Sequence, residues 1–190
     1  MQLALIGNCS IAGLVDESGR LTWLCLPRFD GEPVFHALLG HGPDDPHDGA
    51  FAFELVDQHS SSQHYETNTA VLRTQLHGAS GSLEIIDFIP RFPALGRMFR
   101  PQMVVRTIRP VSGSPRVRVR IRPRFGWGAW APEVARGTSH LRYNGSDLAI
   151  RVTTDAPIDY VLEEQAFNLD RAYHFIVGPD ESLTEAPQEV

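Results

Sequence analysis

Apolar and polar positions alternate with a period of two along most of this chain, clearest from Arg116 to Arg124, where every second residue is Arg and Val117, Val119 and Ile121 fall on the opposite face. That spacing predicts a strand with one buried and one solvated side. Similar runs predict strands at about 9–15, 21–26, 50–56, 64–77, 83–89, 102–109, 116–125, 139–143, 147–153, 159–164 and 172–177. Turn residues punctuate them. Asp16-Glu-Ser-Gly-Arg20 joins the first two, with Gly19 free to take φ > 0, while Gly78-Ala-Ser-Gly81 and Tyr143-Asn-Gly-Ser146 read as further hairpin links. The one good helix candidate is Pro33-Val-Phe-His-Ala-Leu-Leu39, with Asp30 or Gly31 as cap and Pro33 in the first turn. Many short strands, close-set turns and a single short helix predict an all-β fold, a large antiparallel β-sandwich of the super-β-sandwich type. No internal repeat is present.

With 190 residues and 42% hydrophobic content the chain suffices for one large domain that folds without staples. We expect that domain over residues 1–178. The acidic, Pro-interrupted stretch 179–190 reads as the start of a linker. A net charge of −6 argues against general nucleic-acid binding, which needs a basic surface. No apolar run is long enough to span a bilayer, so no membrane partner is expected. The N-terminus lacks a basic n-region and a cleavage site, which sets a cytoplasmic expectation. Cys9 and Cys25 flank the first turn and are expected as reduced, partly buried thiols.

Candidate chemistry is sparse. The arginine stripe 116–124 could bind an anionic polymer or simply pair with acidic neighbouring strands, and the negative net charge favours pairing. Phe125-Gly-Trp-Gly-Ala-Trp130 sets two indoles in a glycine-rich turn, where they could stack on a sugar or another domain, or plug the end of the sandwich. A glycosidase needs two carboxylates across the scissile bond. Glu163-Glu164 would point to opposite faces of a strand and Asp44-Asp45 would be solvated, so no catalytic residue is expected. Phosphate-loop, dinucleotide and nucleophile-elbow patterns are missing. The histidine pairs His41/His47 and His59/His64 are too scattered to predict a metal. Neither metal nor cofactor is expected.

The segment Leu5-Ile-Gly-Asn-Cys-Ser-Ile-Ala-Gly-Leu-Val-Asp-Glu-Ser-Gly-Arg-Leu-Thr-Trp-Leu-Cys-Leu-Pro-Arg-Phe-Asp30 resembles the start of bacterial glycoside hydrolase family 15 proteins, which include glucoamylase-like and trehalase-like enzymes. The likeness continues through Pro33–Leu39, Tyr65-Glu-Thr-Asn-Thr-Ala-Val-Leu-Arg-Thr74, Asp87-Phe-Ile-Pro90 and Val119-Arg-Ile-Arg-Pro-Arg-Phe125. It implies a non-catalytic N-terminal sandwich that packs on and supports an (α/α)6 domain of the same protein. That domain would carry both catalytic glutamates and hydrolyse α-glucosidic bonds with inversion, so contact with α-glucan or trehalose is implied for the whole. Two departures stand out: Asn8-Cys9 where relatives usually carry Asp-Gly, and Gly126-Trp-Gly128 where they carry an Asp-Tyr-Gly-like stretch. In such enzymes loops of the sandwich lie near the active-site mouth. The resemblance thus makes Trp23, Arg28, Phe29, Asp30, Trp127 and Trp130 the candidates for interdomain docking or for shaping the substrate entrance. Arg28 and Asp30 could instead pair with each other and stabilise their own turn. Another reading of the same residues is a free-standing carbohydrate-binding or protein-interaction module.

Overall fold

A computed structural model describes residues 2–40, 45 and 48–181. In chain order the strands are β1 (Leu3–Gly7), β2 (Ala12–Asp16), β3 (Leu21–Cys25), β4 (Pro33–His36), β5 (Phe51–Leu55), β6 (Gln58–Tyr65), β7 (Leu72–Gly78) and β8 (Gly81–Phe88). There follow β9 (Phe92–Ala94), β10 (Arg97–Phe99), β11 (Val104–Gly113), β12 (Arg116–Ile121), β13 (Glu133–Arg136), β14 (His140–Asn144) and β15 (Ala149–Thr154). The chain ends with helix α1 (Ile158–Leu162), β16 (Phe167–Asn168) and β17 (Tyr173–Pro179).

The strands form two large antiparallel sheets. One runs β1-β2-β3-β5-β12-β16 with β4 also on β3, the other β13-β14-β15-β17-β11-β8-β7-β6. Between them lies one apolar core, in which Phe51 and Phe53 of the first sheet meet Phe175 of the second at centroid distances of 5.7 and 5.1 Å. This is the expected sandwich. Alternation is kept on β12, whose Val117, Val119 and Ile121 are buried.

Among the described residues, one ion pair is fully enclosed in the core. Arg106 on β11 and Asp87 on β8 lie opposite each other in register and both side chains are fully buried. Arg106 Nε donates to Asp87 Oδ1 at 2.8 Å and Nη2 to Oδ2 at 3.2 Å. Its remaining N–H groups reach the first sheet, at the carbonyls of Phe51 and Gly19, and the guanidinium carbon lies 4.6 Å from the centre of the Phe51 ring. Burial pushes the Asp87 carboxyl above its ordinary range, while Arg106 pulls it back. Gly19 takes φ 74°, as its turn requires, and an added Cβ would meet Ile85 Cδ1 at 2.5 Å.

The helix is placed differently from the sequence expectation. Pro33–His36 is a strand paired with β3, followed only by a 3-10 turn at Ala37–Leu39. All four of its strand residues are buried, and a short continuous apolar run has no periodicity by which to separate helix from strand. The helix instead occupies Ile158–Leu162, where a strand was expected, with Ile158 and Val161 buried one turn apart. Both cysteines are free, but Cys9 is exposed and only Cys25 is buried. The expected linker falls mostly on residues 182–190, outside the described residues, as do His41, Asp44 and His47.

Candidate functional site

Two loops meet at one end of the sandwich. The turn after β12 is closed by a Phe125–Trp130 bridge and bent by positive φ at Gly126, Trp127 and Gly128. Trp130 folds back so tightly that a Cβ on Gly126 would lie 2.8 Å from its ring, and Arg124 Nη2 donates to the Gly128 carbonyl at 2.9 Å. The β3–β4 loop joins this turn through Glu32, whose Oε1 accepts the Trp127 N–H at 2.9 Å. Phe29 and Trp127 remain 67% and 63% exposed, and Trp130 is 49% exposed. All three aromatics thus leave apolar surface open to solvent.

The other candidates sit differently. Arg28 and Asp30 grip each other, Nε to Oδ1 at 2.9 Å and Nη2 to Oδ2 at 2.8 Å, on an exposed loop. The hydrogen bond from Arg28 holds the Asp30 carboxyl below its usual range. Trp23 is half-buried within β3, opposite Leu14 and His36, and is not part of the loop cluster. Beneath the Trp loop lies His36, only 5% exposed, with neither ring nitrogen hydrogen-bonded among the described residues.

Phe29 also walls a cleft of about 410 Å³ with Leu5, Cys9, Ile11 and Ala70. Through Gly7 and Ala70 it adjoins a second cleft of about 600 Å³ that runs to Phe88, Phe92 and Met103. At its far end stands a feature the sequence reading missed, the hairpin β9–β10, which pairs with neither large sheet. Strands of three residues containing Pro93 give no alternation to detect. The available signal was Leu95-Gly96 between Phe92-Pro93-Ala94 and Arg97-Met98-Phe99. Asn8 ties the base of this hairpin to the body. Its Nδ2 donates to the carbonyls of Pro90 and Pro101, both at 2.9 Å, and its Oδ1 accepts the N–H groups of Ser10 and Ile11. All donors and acceptors of this buried amide are thereby used. An aspartate there would turn a carboxylate toward two carbonyl oxygens. Cys9, next to it, takes φ 72°, a conformation that suits the glycine of the resembling proteins.

This arrangement can bind an apolar surface but offers no acid–base pair. Glu32 and Asp147 line a cleft of about 260 Å³ beside the Trp loop. Both are exposed, and each accepts a hydrogen bond from a neighbour rather than sitting in the dry pocket a general acid needs. Glu164 is engaged by Arg122 and Arg120, and Glu163 by Gln165. Most of the arginine stripe is likewise covered, Arg116 excepted: Arg118 and Arg120 share Glu54, and Arg122 binds Glu164 with both prongs at 2.7 Å. Among the described residues, no three His, Cys, Asp or Glu side chains form a group that could hold a metal ion.

Comparison with known proteins agrees with the architecture. The family model "Trehalase-like, N-terminal" matches residues 1–176. Trehalase 1 of Sulfolobus acidocaldarius is 30% identical over 165 residues, covering 84% of this chain and 26% of its own. A trehalase of Thermoplasma volcanium is 26% identical, covering 80% of this chain and 24% of its own. The chain thus spans about a quarter of the length of these curated relatives, which are archaeal rather than bacterial. No solved structure matches it significantly. With a matched stretch from the first strand into the last and a sandwich of the expected kind, the chain belongs to the trehalase-like N-terminal domain family.

Proposed function

We propose that this chain is the non-catalytic accessory domain of a glycoside hydrolase of the glucoamylase and trehalase type, family 15, that packs on and supports an (α/α)6 catalytic domain of the same protein. The observation that carries this reading is the family match over residues 1–176 of a chain spanning only 26% of a trehalase of related sequence. On this reading the two catalytic glutamates belong to the barrel. Phe29, Trp127 and Trp130 offer the apolar surface that docking needs. Arg28 and Asp30, already paired, contribute shape and a polar rim. Trp23 supports β3 instead. The working location is the cytoplasm and the substrate an α-glucoside such as trehalose.

Glucose release from trehalose and from maltooligosaccharides, measured for this chain and for the full reading frame, tests the assignment. Release is expected only from the full protein, and turnover by the purified chain alone would overturn it. A second reading, a carbohydrate-binding module, is favoured by the cleft in which Glu32 and Asp147 stand beside Trp127. Trehalose-dependent quenching of Trp127 fluorescence in the chain alone would support that reading.

A further inference from the structure

The hairpin β9–β10 is built against its own stability. It pairs only with itself, and an isolated two-stranded ribbon is marginal in water. Ala94 and Arg97 face each other across a two-residue turn in which Leu95 takes φ 49° and Gly96 φ 71°. That is the type I′ geometry, whose first position favours Asn or Asp because a leucine in the left-handed region is strained. The leucine gains nothing from packing, since it is 94% exposed. Behind it, Phe92 and Phe99 stack at 5.8 Å with a 10° interplanar angle, and both rings and Met98 remain between 39% and 47% exposed.

Charge at the hairpin is equally unfinished. Most arginines on the two sheets, from Arg20 to Arg171, are paired with carboxylates. Among the described residues, Arg116 at the start of β12 has no such partner, nor do Arg97 and Arg100 at the hairpin, where Arg91 donates only to the Cys9 sulfur at 3.5 Å. Unpaired cations around an exposed aromatic stack fit an apolar recess with an acidic rim. The hairpin also continues the clefts that start at Phe29, through the shared residues Gly7 and Ala70. About three quarters of the length of the trehalase relatives lies outside the stretch this chain matches, enough protein to provide the cover.

We propose that the Phe92–Phe99 hairpin is the anchor by which this domain holds its catalytic domain, with Leu95 and the Phe92/Phe99 stack seated in an apolar recess and Arg97 and Arg100 facing carboxylates on its rim. This rests on the accessory-domain reading and names a surface that reading does not include. Asn8 presents the hairpin by fixing its two feet at Pro90 and Pro101.

Hydroxyl-radical footprinting of the full-length protein, normalised to its denatured form, reads the cover side chain by side chain. Phe92, Leu95, Met98 and Phe99 are expected to be protected several-fold more than Val56 and Val111, which are 53% and 51% exposed away from the strip. Protection of Phe29, Trp127 and Trp130 with a fully labelled hairpin would overturn the anchor while leaving the docking reading intact. Full labelling of both regions would overturn both. Hairpin protection that rises with protein concentration, or that appears only with phosphatidylserine vesicles, would assign the surface to a second copy or to a lipid and overturn the proposal. Leu95→Asn in the full-length protein retains a turn-forming residue and is expected to restore several-fold labelling at Phe99. Unchanged protection in that variant would also overturn it.

Discussion

Two arginine-bearing stretches of this molecule use the same side chain to opposite ends. On and just after β12, Arg118, Arg120 and Arg122 stand on one face and are closed off by Glu54, Glu164 and Asp48, so that most of the conspicuous charge pattern in the sequence is satisfied inside the domain. Around the β9–β10 hairpin, Arg97 and Arg100 lack carboxylate partners among the described residues and surround exposed aromatics. The difference lies in topology. A strand flanked on both sides meets acidic side chains of its neighbours, as Arg118 and Arg120 meet Glu54, whereas among the described residues the arginines of a hairpin paired with neither large sheet meet none. A regular charge run therefore speaks of the sheet it belongs to, and the irregular one speaks of a partner.

The comparison is open to direct attack, beginning where an arginine is most enclosed. Arg106→Ala strands the buried Asp87 carboxylate and is expected to cost about 3–5 kcal/mol in urea unfolding of the chain. A loss as small as that of a surface arginine would undo the claim that enclosure decides the effect. Next comes Asn8→Asp, which removes both donors to Pro90 and Pro101 while leaving every hairpin side chain in place. It should lower stability by about 2–3 kcal/mol, with faster proteolysis at 91–100 as its signature. Arg122→Ala breaks a forked bond to Glu164 that solvent still reaches, so we expect about 1 kcal/mol in the same unfolding assay. Smallest of all is Arg97→Ala, within about 0.5 kcal/mol of the parent chain. A larger loss would mean that this side chain already has a structural duty within the domain.

Much of the frame was legible before any coordinates. The alternation of β12, the Gly19 turn and the hairpin links at Gly78–Gly81 and Tyr143–Ser146 follow from period and turn chemistry, which act locally, although the second link closes from Asn144 to Ala149 rather than over Asn-Gly alone. Pro33–His36 was misread because four buried residues in a row carry no period, and Ile158–Leu162 because a single turn of helix shows only one i, i+3 repeat. Phe29, Trp127 and Trp130 were candidates through residue type and a resemblance, while the adjacency of their loops rests on long-range bonds, from Trp127 to Glu32 across 95 residues and from Arg124 to Val34, that no local pattern announces. The hairpin was invisible for the complementary reason. Its strands are too short for a period, and its distinguishing property, lack of partners, exists only once the rest of the chain has folded.

The Asn8 amide has a mechanical consequence. One planar group grips two points of the chain, Pro90 and Pro101, that bracket the whole arm, and its oxygen is held by the turn at Ser10 and Ile11. Both feet therefore share a side-chain mooring in addition to their backbone continuity with β8 and β11. The same residue thus joins the base of the hairpin to the turn that carries Cys9, beside the cleft that Phe29 walls.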